Sequence, residues 1–165
     1  MNDNKKWHAV YTKPRWEKKV FSLLVEKGIV SYCPLNKTRR RWSDRYKIIN
    51  EPLFKSYVFV KAGDDEMKEV RMIPGVVNFV YWNSKPAVIR EEEINIIKKF
   101  LNEYDFVLAE PVQLMPNQRI KIMNGILMDE EAIVIRAEKN KVQVVLNSLG
   151  FRLTASVNKN EIRVI

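Results

Sequence analysis

The alternation of apolar and polar positions divides the 165-residue chain into two regions of different texture. Trp7 to Thr12 alternates with period two, which predicts a strand with Trp7, Ala9 and Tyr11 on one side and His8, Val10 and Thr12 on the other. Pro14 suits a first helical turn, and Trp16, Val20, Leu23 and Leu24 follow at helical spacing until Gly28 supplies a stop. Ile29 to Leu35 and Tyr46 to Asn50 are β-prone and flank a basic run, so the spacing predicts an extended hairpin with arginines at its tip. Leu53 to Ala62 is apolar enough for a central strand, and if regular it sends Phe54 and Tyr57 to opposite faces. A short helix capped by Asp64 runs through Met67 and Val70, ending before Pro74-Gly75. Val76 to Trp82 reads as a strand, Asn83 to Pro86 as a turn and Ala87 to Ile89 as a brief strand. Glu91 to Glu93 then open a helix with Ile94, Ile97 and Leu101 inside.

Beyond residue 102 the helical pattern ends. Residues 103–113 read as a linker, and five short β-prone segments follow: Arg119 to Met123, Ala132 to Ala137, Val142 to Leu146, Phe151 to Ser156 and Glu161 to Ile165. So many short strands in so few residues predict a small closed barrel, because closure removes edges. The expected architecture is therefore α+β: an α/β sandwich with a mixed or antiparallel sheet over 1–102, then a small all-β barrel over 114–165.

Charge sharpens this picture. The net charge is +9, and all the excess lies in residues 1–50, which hold 13 Lys and Arg against 4 Asp and Glu. Such a segment on a balanced protein suits a polyanion. Arg39, Arg40, Arg41 and Arg45 beside Trp42 combine phosphate pairing with a stacking ring, though a solvated hairpin has the same composition. One Cys33 and one His8 cannot form an internal disulfide or a thiolate or imidazole metal cage, so no metal or cofactor is expected. The carboxylate clusters at Asp64-Asp65 and Glu91 to Glu93 sit at helix starts, where acids favour the dipole. His8 reads as a surface residue, and no catalytic constellation is visible. No apolar run spans a bilayer and no leader is recognised, so a cytoplasmic protein without membrane contact is expected.

The residues also carry a resemblance. Trp7-His-Ala-Val-Tyr-Thr with Glu17-Lys18-Lys19, then Glu51-Pro-Leu-Phe-Lys-Ser-Tyr-Val-Phe-Val60 and Ile73-Pro-Gly-Val-Val-Asn-Phe-Val80, resemble the N-terminal (NGN) domain of NusG-type transcription factors. Gln118 to Gly125 followed by Glu131-Ala-Ile-Val134 resembles the family's KOW motif in an SH3-like barrel. Asn117 and Ala132 stand where housekeeping members usually have glycine, and Lys55-Ser56 where they have Pro-Gly. These departures are more similar to specialised paralogues of the RfaH and UpxY kind, which act on particular operons such as those for surface polysaccharides.

The resemblance implies a non-enzymatic factor that binds RNA polymerase at the clamp helices of its largest subunit, bridges the DNA cleft and suppresses pausing or termination. By motif position Tyr11, Phe54, Tyr57 and Phe59 form the docking patch, with some rings expected in the core, and Asp65 and Lys68 a second polymerase contact. Lys13, Arg15, Trp16 and Lys19 lie where relatives touch non-template DNA, although Trp16 equally suits the core; Arg39, Arg40, Arg41 and Arg45 would reach upstream DNA. Leu149 and Phe151 fall in the loop that meets a small-subunit ribosomal protein or Rho, or else plug the barrel. The family acts as a monomer. The alternatives are a general housekeeping NusG-type factor or a free-standing RNA- or ribosome-binding protein, since KOW barrels also occur in ribosomal proteins.

Overall fold

The computed structural model describes residues 5–104, 106–111, 118–122, 131–138, 141–146, 150–156 and 162–164. In chain order the elements are β1 (Lys6–Thr12), α1 (Glu17–Glu26), β2 (Val30–Tyr32), β3 (Leu35–Trp42), β4 (Arg45–Pro52), β5 (Tyr57–Ala62) and α2 (Asp64–Arg71). There follow β6 (Val76–Phe79), β7 (Tyr81–Trp82), β8 (Lys85–Pro86), α3 (Glu91–Glu103) and β9 (Leu108–Pro111). The last strands are β10 (Gln118–Ile122), β11 (Glu131–Glu138), β12 (Lys141–Leu146), β13 (Phe151–Ser156) and β14 (Ile162–Val164). They divide into two units, one formed by residues up to Pro34 with Phe54–Glu92, the other by Leu35–Leu53 with the chain from Glu93 onward. The β3–β4 hairpin thus groups with the second unit.

The first unit is a four-stranded sheet in the order β2-β5-β1-β6, every described pair antiparallel. The β1–β5 register sets His8 opposite Val60 and Val10 opposite Val58, so these side chains share one face. Against that face the core collects Val20 and Leu24 of α1, Val70 of α2, and Ile29, Ile73 and Phe79. The other face takes Trp7, Ala9 and Tyr11 of β1 with Phe59 and Tyr57 of β5, as the alternation predicts. Gly28 ends α1 at φ 75, and the Ile29 amide returns to the Leu24 carbonyl at 3.0 Å.

Several local expectations change. Helix α1 starts at Glu17 rather than Pro14, because Arg15 takes a left-handed φ of 68 and turns the chain first. Gly63, not Asp64, is the N-cap of α2, its amide donating to Glu66 Oε1 at 3.4 Å. Strand β5 starts at Tyr57, since Ser56 at φ 66 interrupts the Leu53 to Ala62 run. The run from Val76 to Trp82 breaks into β6 and the small β7–β8 hairpin, whose Asn83-Ser84 turn has positive φ at both positions, the backbone that matches strand twist. Ala87 to Ile89 keeps only a bridge between Ile89 and Trp7.

His8 is 4% exposed, packed edge-on to Phe79, with its Nδ1 2.9 Å from the Ala87 carbonyl. It is a core residue, not the surface residue expected, because its side of β1 faces the helices. Burial holds its imidazole below the ordinary range, against the opposing effect of the Ala87 carbonyl. The unfolded chain therefore takes up a proton that the folded chain resists. His8's contribution is intact above about pH 6.5 and declines as pH falls below it. We expect urea midpoints to drop between pH 7.5 and 5.5 more steeply in the wild type than in His8→Gln; parallel profiles would show that His8 is not the group responsible.

In the second unit β3 and β4 pair along their whole length through a Ser43-Asp44 turn, from Trp42 opposite Arg45 to Leu35 opposite Pro52. Helix α3 buries Ile94, Ile97 and Phe100, with Phe100 rather than Leu101 completing the stripe and meeting Tyr104 edge to face at 4.9 Å. The C-terminal all-β region is one six-stranded sheet in the order β14-β10-β11-β12-β13-β9. Its sixth strand, β9, lies in the segment expected to be linker and pairs antiparallel with β13. No ladder joins the outer strands β14 and β9 among the described residues. Val144, Val145, Leu146, Leu153 and Ala155 are buried there.

Candidate functional site

On the sheet face away from α1 and α2, the four rings singled out from the sequence fall into two classes. Phe54 and Phe59 are buried, at 2% and 1% exposure, and pack edge to face with centroids 5.5 Å apart. Because of the Ser56 turn, Phe54 lies beside Phe59 and so on the same side as Tyr57, not the opposite side that a regular strand requires. Tyr11, 39% exposed, sits opposite the half-buried Tyr57 with ring centroids 5.0 Å apart. Burial, then the hydrogen bond with Tyr11, push the Tyr57 hydroxyl up to about 12, so it is protonated at physiological pH. The accessible part of the patch is this tyrosine pair.

The turn that sorts these rings is held by a residue not assigned a role from the sequence. Glu17 is buried at the first turn of α1, and its carboxylate accepts the Ser56 amide at 2.8 Å while the Ser56 carbonyl accepts the Thr12 amide at 2.9 Å. An acid at a helix start is usually a dipole partner. Only the fold brings the strained serine to it.

Lys13, Trp16 and Lys19 come together at the start of α1. The ammonium groups of Lys13 and Lys19 lie 5.7 and 5.0 Å from the Trp16 ring centroid, and Arg15 projects exposed from its left-handed turn. Trp16 itself is half-buried against the core cluster, which leaves one part of its ring inside and its cations outside. Asp65 and Lys68 are exposed on α2.

The basic hairpin differs from expectation in where its arginines stand. Arg39, Arg40 and Arg41 lie within β3 and Arg45 opens β4, so they line the arms of the ribbon while Ser43-Asp44 makes its tip. Arg40 is bonded through Nε and Nη2 to Glu51, and Arg39 stacks on Phe106 with its guanidinium carbon 4.8 Å from the ring centroid. Trp42 and Tyr46 are 60% and 70% exposed. Asn36, also unassigned from the sequence, is buried and clasps both backbone groups of Val107: it donates to the carbonyl at 2.7 Å and accepts from the amide at 3.0 Å. Phe151 is half-buried at the start of β13, and Leu149 lies outside the described residues.

Comparison with known proteins places this arrangement. A family model described as "Transcription termination factor nusG" matches residues 5–98, more than half of the chain. The Transcription termination/antitermination protein NusG of Streptococcus pyogenes, serotypes M3 and M1, is 27% identical over 173 residues, covering 96% of both partners. Among solved structures, one described as "Domain interaction in Thermotoga maritima NusG" shares the fold, with a TM-score of 0.55 and 24% identity over 98% of each chain. The fold is thus that of an α+β transcription factor with an all-β C-terminal region. The chain belongs to the NusG family of transcription elongation and antitermination factors.

Among the described residues, no helix is long and apolar enough to cross a membrane, and no three His, Cys, Asp or Glu side chains gather as a metal site. The lone thiol, Cys33, is buried in the first unit, and burial raises it to about 11, which keeps it protonated and unreactive.

Proposed function

We propose that this chain is a specialised NusG-family factor that binds RNA polymerase through the sheet face carrying Tyr11 and Tyr57. Docked on the clamp helices and touching the far side of the cleft through Asp65 and Lys68, it suppresses pausing or termination at particular operons, such as those for surface polysaccharides. The observation that carries the reading is the paired rings of exposed Tyr11 and half-buried Tyr57 on the sheet face away from α1 and α2, in a chain of this family. Aromatic rings with a polar tip suit an interface that is dry at its centre. Phe54 and Phe59, buried on the same face, are the interior part of the patch. Lys13, Arg15, Trp16 and Lys19 contact the displaced non-template strand, and the basic hairpin contacts nucleic acid further upstream. Phe151 and Leu149 meet a ribosomal protein or Rho.

The factor performs no chemistry on this reading. It favours the closed clamp only to the extent that it binds that state better than the open one. Tyr57→Ala and Tyr11→Ala should each weaken binding to the host's core polymerase by roughly tenfold or more, the scale of central interface aromatics. Both variants should keep the wild-type melting transition within a few degrees. Binding on a nucleic-acid scaffold with single-round transcription measures this. Wild-type affinity and unchanged pausing in both folded variants would reject the docking face.

A further inference from the structure

The β3–β4 ribbon has two faces of different character, which becomes visible once the register is known. Directly opposed residues of an antiparallel pair share a face, as do alternate residues along a strand. Lys37, Arg39 and Arg41 therefore lie on one face with Tyr46 and Ile48, and none of that face's eight positions holds an acid. The reverse face carries Glu51, which is bonded to Arg40, while Lys47 lies over the Trp42 ring at 5.6 Å. Part of the reverse face's charge is thus already paired with an acid.

We infer that the Lys37–Arg39–Arg41 face of this ribbon, together with Tyr46 and Phe106, is a track for an extended single-stranded polynucleotide. Alternate residues of a strand repeat at about 7 Å, so three cations in register present a row of charge at a spacing like that of phosphates along an extended strand. Bases then need flat partners, and the row has one at its Arg41 end and one at its middle cation. Tyr46 stands exposed directly opposite Arg41, and Phe106 stands exposed beneath the Arg39 guanidinium.

Phe106 is held for this. It adopts a left-handed φ of 56, and the next residue, Val107, is clasped on both backbone groups by Asn36. Around it a shallow groove of about 420 Å³ runs between β3 and residues 106–108, lined by Lys37 and Arg39 of this face and by Asn36 and Thr38 of the reverse face. A duplex keeps its base faces stacked inside and offers such a surface only phosphates, whereas a single strand uses rings and cations together. The inference rests on the proposed nucleic-acid role of the hairpin and assigns it to one face. It brings in Lys37, Tyr46 and Phe106 as contacts and removes Arg40 and Arg45.

The test uses the full chain and labelled twelve-nucleotide oligo(dT), oligo(U) and a duplex of equal length, each titrated over a salt series. Tyr46→Ala should weaken single-strand binding by about tenfold, within the range of lost base stacking. Replacing Lys37, Arg39 and Arg41 together by Gln should flatten the logarithmic salt dependence by about 0.7 per removed cation. Arg45→Gln with Lys47→Gln, on the reverse face, should change the affinity by less than about threefold at moderate salt, where remote charges are screened. Preference for oligo(dT) points to a displaced DNA strand and preference for oligo(U) to RNA; either supports the track. Equal losses from the two faces, or tighter binding of duplex than of single strands, overturn the face assignment while leaving the hairpin a nucleic-acid element. If the folded wild type binds none of the three, the nucleic-acid reading of the hairpin fails and this inference with it.

Discussion

Gly75→Ala should destabilise the first unit by about 2–5 kcal/mol, a large share of the roughly 5–15 kcal/mol that holds a typical domain folded. Two costs add. At φ 94 the backbone is in a region that L side chains rarely adopt, which costs about 1–2 kcal/mol once a Cβ is present. That Cβ would also lie 2.5 Å from Cε3 of Trp16 and 2.9 Å from Cγ2 of Val20. Val20 is fully buried and Trp16 is packed on the same core, so neither can retreat without opening a gap elsewhere, an overpacking cost of about 1–3 kcal/mol. The Gly75 carbonyl accepts the Lys13 amide at 2.9 Å, so a shifted turn would also disturb the basic start of α1. Urea unfolding measures the loss. Trp16→Leu in the same chain should recover part of it, through relief of the closer clash. A loss below about 1 kcal/mol would mean that the turn relaxes freely and the close approach is unimportant.

The second large effect is expected at Asn36. Truncation to alanine removes both partners of Val107 at once, and Val107 is itself buried, so an amide and a carbonyl lose their hydrogen bonds inside the protein. At about 1–3 kcal/mol for each of the two orphaned groups, the expected cost is about 2–6 kcal/mol. Asn36→Asp is nearly isosteric and separates hydrogen bonding from packing. When ionised it still accepts from the Val107 amide but sets an oxygen against the Val107 carbonyl, so at neutral pH it should destabilise about as much as alanine. Hydrogen exchange at Val107 and the thermal midpoint report the outcome. Wild-type stability in Asn36→Asp would show that the donated bond is dispensable.

These two positions indicate what a sequence conceals. Gly75 follows a proline at the end of a helix and reads as punctuation; its close approach to Trp16 requires α1 and the β6 turn to be in place. Asn36 sits in a strand between Leu35 and Lys37 and reads as a solvent position. Its partner is 71 residues away. Phe106 carried no periodicity, and the segment from Leu108 looked like linker because its pairing partner β13 lies forty residues further on. Local pattern has no access to such pairings.

What the sequence by itself determined is the set of elements whose periodicity is strong and the family they build. The two faces of β1, the buried stripe of α1, the basic hairpin and the five C-terminal strands follow from alternation, helical spacing and turn residues, all of which act between near neighbours. The tertiary structure alone decided which of those residues are available to a partner. Ser56 in a left-handed turn, held by Glu17 from another element, places Phe54 with Phe59 in the interior and leaves Tyr11 and Tyr57 at the surface. His8 is buried because its side of β1 meets the helices, and the arginines divide between two ribbon faces because one register pairs Arg41 with Tyr46 and Trp42 with Arg45. Exposure and register depend on which distant segments pack together, and a side chain's chemistry is the same before and after that packing is chosen.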